Sequence, residues 1–498
     1  MLAVAKTFAI VGVEARPVEV EVDVSRGLPA FAIVGLPDPA VREARERVRG
    51  ALLNAGFEFP LRRITANLAP ADLRKVGPGF DLAIAAALLV ASGQLPSELI
   101  GRYAFAGELA LDGAVRGVNG VLAMSQAATE EDLPGFVVAA ENSAEAGLVE
   151  RLEVVPLERI GQLEALASGD WEPATPAPPV EIETGEALPD VADLRGQPFL
   201  RFALEVAAAG GHSMLMIGPA GAGKSLAARR LPSLMPALDR DEALEVTRIA
   251  SACGRLAPGR LAARPYRDPH HTISAAGLVG GGSPPRAGEV TLAHRGVLFL
   301  DELGEFSRAA LEALRQPLEQ GSVTIVRAGH SVSLPCRFML VAAANPCPCG
   351  RGPESDRCRC GQAEVARYAA KLSGPLADRI DICVAVSQPS AEAMRAPAGE
   401  ASAAVRERVQ AARARQGDRL GPGRCNADMS PVETRRHCPL DDEAAGVLTR
   451  QHAELGLSGR GHERVLRVAR TLADLEGREA ITATDILTAG NMRKREDA

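Results

Sequence analysis

The run Gly218-Pro219-Ala220-Gly221-Ala222-Gly223-Lys224-Ser225 carries the most specific chemistry in this sequence. Glycines at this spacing let backbone N–H groups close around phosphate oxygens. A lysine at the seventh place reaches the β- and γ-phosphates, and the following hydroxyl holds Mg²⁺. The apolar run Met214-Leu215-Met216-Ile217 in front predicts a strand, and Leu226 to Leu231 behind predicts a helix. That context adds the favourable dipole of a helix N-terminus to the phosphate site. ATP and Mg²⁺ are the cofactors such a constellation calls for.

Further downstream, Val297-Leu298-Phe299-Leu300 closes on two carboxylates, Asp301 and Glu302. At a strand end, Asp301 suits the Mg²⁺ shell and Glu302 suits the base that polarises an attacking water. Another apolar run, Leu340 to Ala344, ends in Asn345, whose amide can bond both the γ-phosphate and that water. Arg379 precedes a further strand and Arg460 opens a helical pattern. Guanidinium forks suit phosphoryl transition states. Taken singly, a capping carboxylate pair, a turn asparagine and two surface arginines are the ordinary alternatives.

Cys347-Pro348-Cys349 and Cys358-Arg359-Cys360 form two C-x-C pairs in a loop rich in Gly, Pro and Arg. Four thiolates there can close a tetrahedral, structural Zn²⁺ site. Free cysteines and a reversible redox pair remain open as alternatives. The other five cysteines are scattered and read as inert.

These groups must be positioned by a chain of 498 residues with 46% hydrophobic and 24% charged residues, ordinary values for a globular protein. A largely disordered protein is excluded. A net charge of −7 names no partner, and 3% aromatics argue against a base-stacking sheet. No segment reaches membrane-span length, and the N-terminus lacks a secretory pattern, so a cytoplasmic location is expected. The only lysines are Lys6, Lys75, Lys224, Lys371 and Lys494.

Composition divides the chain into three blocks. The first, 1–168, opens on alternating strand runs, followed by a helix from Asp38 to Leu53 with Val41, Ala44, Val48 and Ala51 on one face. A proline-rich linker occupies 169–194. Strands and helices alternate in α/β fashion over 195–390, and 391–498 is Arg/Ala/Glu-rich and helical. Residues 321–334 read as a hairpin turning through Arg327-Ala328-Gly329-His330. Arg406, Arg408, Arg413, Arg415, Arg419 and Arg424 read either as a solvated helix face or as a DNA-facing patch.

The pieces, in this order, resemble an AAA+ P-loop ATPase of the magnesium-chelatase-like branch. Tyr266-Arg267-Asp268-Pro269-His270-His271, the stretch from Gly288 to Leu303, Asn345-Pro346-Cys347-Pro348-Cys349-Gly350 and Leu372 to Asp381 closely resemble the ComM/YifB family. The resemblance implies an α/β ATPase core at 195–390, a helical lid at 391–498, and a Lon-protease-like α+β domain at 1–168. It implies Arg379 as a finger reaching a neighbouring subunit's ATP and Arg460 as the second sensor in cis, with Arg464 as the runner-up. Hexameric rings and a DNA helicase promoting branch migration in natural transformation are also implied, with the 321–334 hairpin projecting toward DNA through Arg327 and His330. The positions that carry a Ser–Lys dyad in Lon-type peptidases hold Gly79 and Leu122 here, so peptidase chemistry is not expected. Lys75 reads as a loop charge. Two rivals stay open: the ATPase subunit of a metal chelatase, and an AAA+ remodeller of protein partners that does not act on DNA.

Overall fold

Valines at every second position make the first structural unit possible. Val18, Val20, Val22 and Val24 alternate along the strand Glu14–Ser25 and are all buried. This strand pairs antiparallel with Leu2–Val11 through a turn at Gly12, whose φ of 69° suits a residue without Cβ. In this computed structural model, which describes residues 1–171, 188–256, 260–282, 285–327, 330–352, 356–372 and 376–493, a seven-stranded mixed sheet follows. Its strands run in the order Ala30–Val34, Arg63–Ala69, Glu14–Ser25, Leu2–Val11, Tyr103–Ala106, Gly135–Ala139 and Glu153–Leu157.

The helix Pro39–Asn54 begins where expected. Asp38 caps it by accepting the Val41 N–H at 2.8 Å, Pro39 fills the first turn, and Val41, Ala44, Val48, Ala51 and Leu52 face the core. The neighbouring helix Asp81–Ala91 is buried along its whole length. Its Asp81 is held by a two-pronged bond from Arg47, at 2.6 and 2.9 Å. Lys75 corrects its reading as a loop charge. It is fully buried, its ammonium bonds the Pro70 carbonyl, and burial lowers its pKa. The loop folds over it through main-chain bonds to Leu36 and Asp38.

The segment 240–263 belongs to this first unit although it follows the phosphate-loop region in sequence. Its helix, Arg240–Ala252, buries Ala243, Val246 and Ile249 and packs on the helix Val121–Glu130. Ser251 bonds the Glu145 carboxylate, which also accepts the Leu122 N–H at 2.7 Å. Burial raises the Glu145 pKa against those bonds.

The second unit is built on a five-stranded parallel sheet. Its order is Tyr266–Arg267, Val297–Leu300, Met339–Ala344, Met214–Ile217 and Ile382–Ala385. The strand Met339–Ala344 therefore lies between the two strands that lead into the phosphate loop and into Asp301. Helices Pro198–Gly210, Lys224–Leu234, Ser402–Leu420 and Gly459–Leu475 share one hydrophobic core with the sheet. The stretch expected as a linker, 169–194, falls mostly on 172–187, outside the described residues. Its described end at 188–194 is already part of this unit, where Asp190 accepts the Ser402 N–H at 2.9 Å. The hairpin forms as read, Ser322–Arg327 against His330–Pro335, with Val323, Ile325, Val332 and Leu334 buried. Its tip, 328–329, lies outside the described residues.

The six arginines expected as a solvated face or a DNA patch are instead engaged within the unit. Arg408 grips Glu205 and Glu400, Arg413 bonds the Ala208 carbonyl, and Arg415 bonds the Asp474 carbonyl. Arg419 meets the Asp474 carboxylate at 2.6 Å, Arg424 meets Glu433 at 2.8 Å, and Arg406 lies 3.4 Å from the Ser233 carbonyl. No helix among the described residues is long and apolar enough to cross a membrane.

Candidate functional site

The strand Met214–Ile217 delivers the phosphate loop at its carboxyl end, and helix Lys224–Leu234 starts as the loop closes. Gly218 is required by packing, because a Cβ there would stand 2.0 Å from the Val386 carbonyl oxygen. Gly223 turns the chain into the helix at φ 89°. Lys224 folds back over the loop. Its ammonium donates to the carbonyls of Gly218 at 2.6 Å and Pro219 at 2.9 Å, and to Asn345 Oδ1 at 3.1 Å. Burial lowers its pKa, opposed by the charges of Asp301 and Glu302. A desolvated cation among carbonyl dipoles is poised to exchange them for phosphate oxygens.

The Ser225 hydroxyl donates to Asp301 Oδ2 at 2.6 Å. A hydroxyl and a carboxylate in contact beside a phosphate loop are the hard oxygen donors Mg²⁺ takes. Asp301 Oδ1 accepts the N–H of Glu302 at 2.9 Å, which fixes the backbone where Glu302 adopts φ 52°. A non-glycine residue in that region stores strain and persists only where its surroundings over-determine it. The Glu302 side chain is half exposed, and its Oε2 lies 3.5 Å from His271 Nδ1. The His271 ring lies tilted against that of His270, centroids 4.1 Å apart, and meets Phe306 edge-on.

The sequence marks the motif Tyr266 to His271 but assigns no role to His271 within it. A separation along the chain does not reveal that two loops meet. The same holds for Asp268, 3.5 Å from Arg229. Burial raises the Asp268 pKa and nearby Asp301 adds to the rise, while Arg229 opposes it. Arg267 forms a two-pronged bond with Glu289, at 2.6 and 2.9 Å, and anchors the motif.

Arg379 and Arg460 converge on one carboxylate. Glu319, at the end of helix Arg315–Gln320, bonds the Arg379 guanidinium and lies 3.6 Å from that of Arg460. Arg464 is instead mostly buried against Asp381 at 3.2 Å, with His212 on the other side at 3.4 Å. Burial pushes the Asp381 carboxyl up, but His212 and the guanidiniums of Arg464 and Arg467 more than reverse this, to about 2.

The four loop cysteines also meet. The sulfurs of Cys347, Cys349, Cys358 and Cys360 all lie within 4.8 Å of one another. Cys347 is 3.4 Å from Cys349 and 3.8 Å from Cys358, and Cys349 is 3.7 Å from Cys358. A tetrahedron with Zn–S bonds of about 2.3 Å has edges of about 3.8 Å, so these spacings fit one thiolate-bound ion. The bond from the Arg351 N–H, followed by that from the Cys347 thiol, lowers the Cys349 pKa to about 6. By contrast, burial pushes Cys336 and Cys438 up to about 12.

Three family models match the chain in succession. That for subunit ChlI of Mg-chelatase covers 20–142, that for magnesium chelatase, subunit ChlI, covers 190–394, and its C-terminal model covers 399–493. Among curated proteins, YifB of Escherichia coli is 42% identical over 99% of this chain and 97% of its own length. Competence protein ComM of Haemophilus influenzae is 41% identical over 96% of this chain and 95% of its own. The 38 kDa magnesium-chelatase subunit of Acidiphilium rubrum is 26% identical over 55% of this chain and 79% of its own length.

Proposed function

This chain belongs to the ComM/YifB family of magnesium-chelatase-like AAA+ ATPases, and on that premise we propose that it is an ATP-hydrolysing motor acting on DNA, assembled as a ring. The observation that carries the hydrolytic part is the meeting of Lys224, Ser225, Asp301 and Asn345 at the ends of three adjacent parallel strands. The DNA part is supported by 41% identity, along nearly the full length, with a competence protein. Branch migration of recombination intermediates by a hexamer is the specific form we propose. The metal-chelatase reading is less favoured, because the similarity to that subunit is lower and covers only part of the chain.

In this reading the N–H groups of Gly221 to Ser225 cradle the phosphates, helped by the turn Gly218-Pro219-Ala220. Lys224 leaves its carbonyl partners for the β- and γ-phosphates. Ser225 and Asp301 hold Mg²⁺, which spreads the negative charge of the phosphates when bound. Glu302 draws the proton from the attacking water, and Asn345 orients that water against the γ-phosphate. Arg379 serves the ATP of the neighbouring subunit and Arg460 that of its own, each leaving Glu319 to do so. The hairpin at 322–335 contacts DNA from the ring interior. The four cysteines hold a structural Zn²⁺. The first unit serves as a Lon-type module without peptidase chemistry, since Gly79 and Leu122 supply neither hydroxyl nor amine and Lys75 is bonded to Pro70.

ATP turnover measured with single-stranded, duplex and four-way-junction DNA tests this function. Stimulation by branched DNA is expected. No stimulation by any of the three refutes the DNA motor and favours protein remodelling. Glu302→Gln should bind ATP and lower kcat by about 10²-fold or more while leaving assembly intact. Normal turnover would remove Glu302 from the base role.

A further inference from the structure

The loop that carries the four thiols is bonded directly to the phosphate loop. The N–H of Ala220, third residue of that loop, donates to the Gly350 carbonyl at 3.0 Å. Gly350 in turn donates its own N–H to the Cys347 carbonyl at 2.9 Å, and Gly352 donates to the Cys347 sulfur at 3.3 Å. Upstream, the same chain supplies Asn345 to Lys224, and the Ala344 carbonyl accepts the Gly218 N–H at 3.2 Å. The thiol loop therefore forms one wall of the nucleotide site.

Among its described residues, few side chains pack that wall in place. Of its described residues beyond Pro346, only Cys347 and Gly350 are buried, and none is a large apolar side chain. A segment this polar offsets little of its own ordering entropy by packing, and a cross-link through the thiols would fix where the Gly350 carbonyl points. Arg351, Arg357 and Arg359 lie in the same loop and offset the surplus negative charge of four thiolates around one divalent ion.

We propose that the metal held by Cys347, Cys349, Cys358 and Cys360 sets the shape of the ATP pocket through the Gly350–Ala220 bond, so that metal occupancy controls nucleotide affinity. This rests on the zinc reading given above, and the two fail separately in one experiment. Metal analysis of the full-length protein should find one zinc per chain. Removal by a chelator under reducing conditions should weaken binding of a fluorescent ATP analogue about tenfold, and added Zn²⁺ should restore it. Hydrogen exchange should rise in 218–222 and 345–352 while the strand Leu2–Val11 stays protected.

Cys349→Ser, at an exposed position, should reproduce the loss of affinity in a folded chain and resist rescue. A zinc-free protein that folds and binds ATP with no response to added zinc overturns the metal site. A zinc-bearing protein whose ATP affinity is unchanged on metal removal overturns the coupling alone. Exchange that rises uniformly across both units also overturns it.

Discussion

His271 Nδ1 stands 3.5 Å from Glu302 Oε2, with the His271 ring tilted against His270 and edge-on to Phe306. The half-exposed Glu302 is thereby aimed by a residue from a different strand–loop junction. Replacing His271 with Ala should lower kcat about tenfold while KM for ATP stays within a factor of two. His271→Gln, which keeps a side-chain hydrogen-bonding group, should recover part of the loss. A rise in KM at constant kcat would assign His271 to nucleotide binding instead.

Glu319 joins Arg379 and Arg460, so an arginine that is to meet phosphate would first have to leave this carboxylate. If Arg379 acts across a subunit boundary, an Arg379→Ala chain has an intact ATP site that lacks its neighbour's finger. A Lys224→Ala chain keeps the finger and loses the site. Mixing the two inactive variants should restore about a quarter of wild-type turnover at equal ratio, as random pairing of neighbours dictates. Absence of any recovery in mixed rings would place Arg379 in cis.

Arg419 approaches a nearly fully buried Asp474, which Arg470 also contacts at 3.0 Å. Arg419→Ala should cost about 2 kcal/mol, less than a fully orphaned buried charge because Arg470 remains. The salt dependence of DNA binding should not change, since this guanidinium is already engaged. A flatter salt slope in a variant of normal stability would return it to the DNA interface.

Asp381 gives a signature at low pH. Its folded pKa of about 2 lies below the ordinary 3.8, so it stabilises the folded state above the unfolded value. That contribution is lost as pH falls from about 4 to about 2. Thermal melting across that range should show a steeper decline in the wild-type protein than in Asp381→Asn. Parallel curves would contradict the assignment.

The phosphate loop was legible because its parts are contiguous. Strand, glycines, Lys224, Ser225 and helix follow one another, so local rules suffice to specify the shape. Asp301 and Asn345 were legible for a related reason. An apolar run ending in a polar group marks the end of a buried parallel strand, and such ends gather on one edge of a sheet. The helix beginning at Asp38 was also local, fixed by its cap and its period.

Other features depended on which distant segments meet. No composition shift marks 240–263 as part of the first unit, because an amphipathic helix reads alike whichever core it joins. The six arginines after 405 read either as a solvated face or as a DNA patch, because sequence shows their spacing but not Glu205, Asp474 or Glu433 opposite them. Lys75 reads as a loop charge in sequence because burial of a lysine depends on a carbonyl, here that of Pro70, supplied by the fold. Four C-x-C thiols suggest a metal, yet only the tertiary structure brings them within a tetrahedron's reach and joins Gly350 to Ala220. Chemistry carried by neighbours in sequence is set by the sequence itself. Chemistry that needs convergence is decided by packing, where a long-range contact leaves no local trace.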